Sequence, residues 1–338
     1  MSVRKWQIRE ATERDVPALC ELFHTVFGTR REEQHNRWKF YGNPDGPPII
    51  FVADHDGQLV GQSALWPTRL RLGTSVVMGA QALDGMTHPD YRGQSIFKDL
   101  SERAMEAAAD RGLVALYGFP NEFSLPVLLK ADWARTGLVS RWVRVLTPSR
   151  IARIPAFLGP LADLASTLLP SGSLHGLQMT YERPTDAELE SLLEGWRRQE
   201  RLCRVERDRT RMDWRFSPAS QSSYEWVCAR SNQMLAAVAI WSVSLPSGNA
   251  RLCELLGDTP EAVLAVVSAT VARARAARCP AMHALSSTPQ ANLALKQCGF
   301  FLRPGAVQIV RKLTVKSLAA NIHQHDNWHI FGADVDTY

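Results

Sequence analysis

Paired cysteines, long apolar runs and blocks of like charge are all missing from this sequence of 338 residues. Its six cysteines (Cys20, Cys203, Cys228, Cys253, Cys279 and Cys298) contain no CxxC pair, which excludes zinc-ribbon and thioredoxin-type sites. Six thiols scattered over so long a chain are not a disulfide framework, so a reducing compartment is expected. No stretch reaches the ~18 uncharged apolar residues of a membrane span. The nearest, Ile154–Leu169, is broken by Pro155, Gly159, Pro160 and Asp163. The opening MSVRKWQIREATERD lacks the apolar centre of a signal peptide. These absences together predict a soluble, cytoplasmic protein with no membrane span. The net charge is only +5, and basic residues alternate with acids, as in Glu200–Arg209. No basic arm or basic aromatic face is present, so nucleic acid is not expected as a partner.

What is present is ordinary globular composition, 45% hydrophobic and 22% charged, in a length suited to about two domains. A weak internal repeat supports that number. Phe51–Trp66 (FVADHDGQLVGQSALW) aligns without a gap with Trp226–Trp241 (WVCARSNQMLAAVAIW). Each reads as two strands around a polar turn, His55-Asp56-Gly57 or Arg230-Ser231-Asn232. Trp38-Lys39-Phe40 precedes the first and Trp214-Arg215-Phe216 the second, and each is closed by a proline. Downstream, helical patterns end at Lys130–Trp133 and at Lys296–Phe300.

The first copy reads as a strand at Trp6–Arg9 and helices at Asp15–Phe27 and Glu32–Phe40. The hairpin follows, then a fourth strand near Val77–Thr87 and a helix over Ser95–Arg111 with Ile96, Leu100, Ala104 and Ala107 on one stripe. Val114–Phe119 is a fifth strand, Ser124–Lys130 a short helix and Val139–Val145 a further strand. A meander followed by a βαβ crossover is mixed α/β. The second copy runs from about Met179 to Lys312, and Thr147–Ser173 reads as an apolar connector, a helix packed at the interface.

The segment His88–Phe97 (HPDYRGQSIF) lies between the fourth strand and the amphipathic helix. A helix start presents unpaired N–H groups and partial positive charge, which suits a phosphate, and Arg92 adds a forked donor. Here the sequence resembles the GNAT superfamily of acyl-CoA-dependent N-acyltransferases. Their loop signature falls on Arg92, Ser95 and Phe97; the arginine matches, while serine and phenylalanine stand where small residues or glycine are usual. The resemblance implies that the amides of Arg92, Gly93, Gln94, Ser95, Ile96 and Phe97 hold the pyrophosphate of acetyl-CoA or another acyl-CoA. It also implies that the pantetheine arm runs beside Met86 and Thr87 with Asn121 nearby, and that the thioester enters a gap where strands four and five part. Phe97 is expected to crowd the loop.

Attack by an amine requires a base or a water relay. Glu122 and Asp84 are the carboxylates expected to flank the gap; Gln81, near where some relatives carry a glutamate, cannot serve. The usual tyrosine acid falls on Leu128, so Tyr117 or water would replace it. The second copy has Leu256–Glu261 in place of the loop, with acids that would repel phosphate, and is therefore read as degenerate. His323, His325, Asp326, His329, Asp334 and Asp336 crowd the C-terminal segment, but the stretch 327–334 reads as an ordered final strand that frames the acceptor, with no metal site.

The expected architecture is α/β, two tandem GNAT-like domains, each a mixed, mostly antiparallel sheet flanked by helices. The expected divisions are 1–146 for the acyl-CoA-binding domain, 147–176 for the connector and 177–338 for the degenerate domain with its tail. The expected activity is transfer of an acyl group, acetyl above all, to a primary amine of a small molecule. Similar tandem proteins suggest a nucleotide-linked amino sugar. The alternatives are a cationic acceptor such as an aminoglycoside or polyamine, or a non-catalytic acyl-CoA sensor. Oligomeric state is left open.

Overall fold

The computed structural model describes residues 6–150, 158, 161, 163–164, 176–198, 203–244 and 247–336. The first half comprises β1 (Gln7–Glu10), α1 (Val16–Phe27), α2 (Glu33–Phe40), β2 (Ile49–His55), β3 (Gln58–Leu72), β4 (Ser75–Thr87), α3 (Ile96–Asp110), β5 (Ala115–Gly118), α4 (Leu125–Lys130) and β6 (Ala134–Val145). The second comprises β7 (Gln178–Thr180), α5 (Asp186–Arg197), β8 (Cys203–Val205), α6 (Arg209–Arg215), β9 (Tyr224–Ser231), β10 (Met234–Val243), β11 (Ala250–Gly257), α7 (Pro260–Ala276), β12 (Ala281–Ser286), α8 (Pro289–Gln297), β13 (Phe301–Lys312) and β14 (Trp328–His329). The connector expected to be a packed helix lies mostly outside the described residues.

Local chemistry sets the boundaries. The Asp-Gly turn of β2–β3 puts Asp56 and Gly57 at positive φ, as a two-residue hairpin requires. In the β9–β10 hairpin the corresponding positions are Asn232 and Gln233, one residue later than the gapless alignment expects. Asparagine tolerates left-handed backbone better than Ser231 does, and the turn moves to it. The α3 stripe of Ile96, Leu100, Ala104 and Ala108 is buried against β2 and β3. A Cβ at Gly61 would lie 2.5 Å from Ile96 Cγ2, so this glycine lets the start of α3 settle onto β3.

The described residues form one sheet of 14 strands, ordered β1-β2-β3-β4-β5-β13-β6-β12-β11-β10-β9-β7, with β8 pairing β3 and β14. Most pairs are antiparallel; β4–β5, β11–β12 and β8–β14 are parallel. The sequence reading placed one sheet in each half. Instead the halves exchange strands: β13 inserts between β5 and β6, and β6 pairs with β12 of the second half.

A second reciprocal contact joins the halves. Trp38 and Trp214 stack with centroids 5.3 Å apart. Each indole Nε1 donates to the other residue's carbonyl, at 2.9 and 3.1 Å. Buried ion pairs complete the seam. Asp45 accepts from Arg69 and Arg211, both at 2.6 Å, and Glu206 from Arg71 at 2.6 Å.

The expected final strand is only the two residues of β14; a short turn at 332–334 follows. Arg207 fixes that turn. It binds Glu254 at 2.9 Å and Asp334 at 2.8 Å, with all three side chains at most 2% exposed. Arg215 Nε donates to the Ala333 carbonyl at 3.2 Å. The six cysteines form no disulfide with one another, and five are buried. No helix among the described residues is long and apolar enough to cross a membrane.

Candidate active site

β4 and β5 pair only over Gly79–Ala82 and Ala115–Gly118. The last pair is close: a Cβ on Gly118 would lie 3.2 Å from the Ala82 carbonyl. Beyond it the two strands part. β4 then bulges, since the register with β3 jumps from Ala64–Leu83 to Gln62–Met86, leaving Asp84 and Gly85 opposite Ser63. Asp84 has φ 47°, and Gln62 Nε2 donates to its carbonyl at 2.9 Å. The gap is a cavity of about 590 Å³, bordered by Leu83, Asp84, Gly85, Phe119, Asn121 and Asp336.

Outward of the gap lies a cavity of about 770 Å³ between the loop after β4 and α4. Met86, Thr87, Arg92, Gly93, Ser95, Ile96, Phe97 and Asn121 all border it, as expected, together with Lys98 and Lys130; Gln94 is exposed and does not. Gly93 and Ser95 adopt positive φ, and this winds the loop into the first turn of α3. The first amides of α3 therefore open beside Arg92 and Lys98, an arrangement that fits a diphosphate. Phe97 does not crowd the loop. Its ring lies on Gly85, where a Cβ would come 2.5 Å from Phe97 Cε2, and it forms a wall shared by both cavities. Gly85→Ala is expected to cost about 1–3 kcal/mol through this overlap, read as a lower urea midpoint, with relief when Phe97→Leu is added.

Inward, the gap meets a polar cleft of about 680 Å³ between the start of α2 and the second half, lined by Arg30, Arg31, His35, Ser222, Ser244 and Arg251 among others. Arg31 and Arg251 border both spaces. Burial pushes the Asp84 carboxyl up, but Arg31 at 2.5 Å and Lys39 at 3.2 Å outweigh it and hold the group well below the usual carboxylate range. Lys39 also binds Asp336 Oδ2 at 3.3 Å, and Gln81 Nε2 donates to Asp336 Oδ1 at 3.5 Å. Burial lowers His35 to about 4 while its Nδ1 meets the Ser220 carbonyl at 2.9 Å. The unfolded chain takes up that proton near pH 6.5, so stability should fall as pH drops from 6.5 to 4, by up to about 3 kcal/mol. His35→Gln should flatten that part of the stability–pH curve.

Two expected catalytic groups lie elsewhere. Asn121 Oδ1 accepts from the Phe123 and Ser124 amides, both at 3.0 Å, and this turn leaves Glu122 exposed and bordering neither cavity. Tyr117 is fully buried on the other face of β5 against Trp328, its hydroxyl donating to the Asp334 carbonyl at 3.4 Å. Burial, reinforced by Asp334, pushes that hydroxyl above the ordinary tyrosine range. Asp84 does reach the gap, but so firmly ion-paired a carboxylate is a weak proton acceptor; it anchors Arg31 and Lys39. Sequence reasoning named Asp336 only as part of a suggestive tail, and Arg31 and Lys39 carried no signal.

The remaining histidines scatter. His325 Nδ1 meets Gln308 Oε1 at 3.0 Å, whereas His329 packs edge-on to Trp196 in the core. Among the described residues no group of three or more His, Cys, Asp or Glu is placed to hold a metal ion. At the start of α7, where the second half would carry its phosphate loop, Thr259 already caps the helix by accepting from the Ala262 amide at 3.2 Å.

Residues 7–135 match the family model described as an acetyltransferase (GNAT) domain. Comparison with curated proteins gives no match. Among solved structures, a GCN5-related N-acetyltransferase from Anabaena variabilis is similar at TM-score 0.65 and 12% identity, over 92% of this chain and 73% of that one. One from Kribbella flavida is similar at 0.60 and 13%, over 91% and 72%. A protein from Pyrococcus horikoshii is similar at 0.58 and 12%, over 99% and 96%. Residues 7–135 are thus similar to an acetyltransferase domain of the GNAT type, and the structural likenesses carry the fold across both halves.

Proposed function

We propose, from the premise that residues 7–135 form a GNAT acetyltransferase domain, that the chain transfers an acyl group from acyl-CoA to a primary amine on a small molecule. The parting of β4 from β5 beside an open helix start is the observation that carries this reading. The Ser95–Lys98 amides with Arg92, Lys98 and Lys130 would hold the diphosphate, and the edge at Met86–Thr87 with Asn121 would receive the pantetheine arm. Acyl-CoA supplies an activated thioester carbonyl. Gly85 and Phe97, which border both cavities, mark the passage along which that group enters the gap.

Asp336 is the protein's proton acceptor in this reading. Asp84 and Asp336 are the carboxylates that border the gap, and Asp84 is locked by two cations. Lys39 and Gln81 orient Asp336, and Arg207 fixes the turn that delivers it. With Tyr117 sealed in the core, water is the proton donor to the departing thiolate, which as a good leaving group makes small demands on an acid. The second half acts as a copy without a phosphate loop that supplies the acceptor wall and the tail.

The polar cleft favours an acceptor with anionic character over a polyamine or aminoglycoside. Arg30, Arg31 and Arg251 line it, and of its two acids, Glu32 and Glu225, the latter is taken by Arg273 at 2.8 Å. A nucleotide-linked amino sugar meets that description. Thiol release from acetyl-CoA, followed with a panel of amino sugars, their nucleotide conjugates and polyamines, tests the reading. Faster release with anionic amines is expected. Coenzyme A binding without release for any amine would make the protein a sensor and overturn it.

A further inference from the structure

A fourth cavity, of about 420 Å³, opens on the second half and is lined by Arg141, Arg251 and His283 with no carboxylate among its described residues. The sheet register puts these groups on one face. Arg141 of β6 pairs with Leu285 of β12, two residues from His283, and His283 pairs with Arg251 of β11. Arg303 of β13 stands opposite Arg141, which extends the row across four adjacent strands. The proximity is electrostatic as well as geometric: burial, then Arg141 and Arg251, lower His283. Arg141 is exposed and makes no ion pair among the described residues, so its charge is unspent.

Close backbone packing shapes one wall. β13 bulges at Pro304-Gly305, which border the cavity, and a side chain at Gly305 would collide with the Val139 carbonyl. Arg251 also borders the polar cleft and the reaction gap, so the basic row continues the path by which an acceptor would enter.

We infer that this row binds a phosphoryl group on the far end of the acceptor. Like charges gathered across neighbouring strands repel one another unless an anion joins them. Forked guanidinium donors match phosphate oxygens, and a dianion answers more of the row than a single carboxylate does. The inference rests on the acyl-transfer reading for the identity of the ligand as an acceptor, not for the anion site itself.

The first experiment titrates inorganic pyrophosphate into the full chain by calorimetry, with coenzyme A in excess to fill the loop at α3. Arg141→Ser/His283→Gln, at positions outside the gap, should weaken pyrophosphate binding at least about tenfold, since each charge-assisted bond contributes to affinity. Circular dichroism should show the same fold. Acetate should bind far more weakly than pyrophosphate. The second experiment compares glucosamine 6-phosphate with glucosamine as acceptors; the double variant should raise KM for the phosphorylated amine alone. Row-dependent pyrophosphate binding with neither amine acetylated would sustain the anion site and sink the acyl-transfer reading. Turnover of both amines with pyrophosphate binding and KM unchanged in the variant would sink the anion site and leave acyl transfer standing.

Discussion

Asp336→Asn is expected to lower kcat by about 10²–10⁴, the usual contribution of a positioned general base. The amide keeps the size of the side chain and can still meet Lys39 and Gln81, so the cavity should persist. The cavity proposed for coenzyme A lies on the other side of Phe97, so its affinity should not move. Asp336→Glu should restore part of the rate. A variant that keeps its full kcat would remove Asp336 from the chemistry and return the proton to a water relay. The same measurement on Glu122→Gln should show no loss, because that side chain faces solvent.

The second large effect is on stability. Arg207→Met leaves Glu254 and Asp334 facing each other, each at most 2% exposed, with no cation between them. Breaking a buried pair by removing one partner costs about 3–5 kcal/mol. Burial already raises Glu254 with Arg207 in place, so in the variant this carboxyl should titrate higher still. The sign follows from linkage. A raised folded value for Glu254 means that the penalty is full above it and fades as pH falls toward the unfolded value near 4. The stability gap between variant and native protein should therefore be widest at neutral pH and narrow on acidification. Denaturant midpoints at pH 7 and pH 5 measure this. A gap that does not change with pH would mean that lost packing, not unpaired charge, is the cause. Asp334 also holds the turn that carries Asp336, so activity should fall further than the unfolded fraction accounts for.

The elements that bear the site were legible because each has a local signature. The Asp-Gly turn marks the first hairpin, the apolar stripe from Ile96 marks α3, and Pro89 with Gly93 marks the loop between strand and helix. The gap was legible only through the family resemblance, since nothing in Leu83–Thr87 announces a bulge. The side on which Tyr117 falls was not legible: all four residues of β5 are buried, so the strand has no polar face to orient it. Phe97 looked obstructive because its partner Gly85 lies on β4, a different element from α3, and the space that this glycine leaves is visible only in three dimensions. Asp336 reaches Lys39 across 297 positions of sequence, through a turn pinned by buried charges, and no periodic pattern encodes such a contact.

The strand exchange has a consequence during synthesis. β5 has β4 on one side at once, but obtains its second neighbour only from β13, roughly 180 residues further on. At translation rates of about 5–20 residues per second, the ribosome emits that partner on the order of 10–40 s after β5 emerges. Throughout this interval the nascent first half carries an open β5 edge, a natural target for chaperones and a hazard for misassociation between neighbouring chains. Completion of the sheet around the gap between β4 and β5 is thereby tied to synthesis of nearly the whole polypeptide.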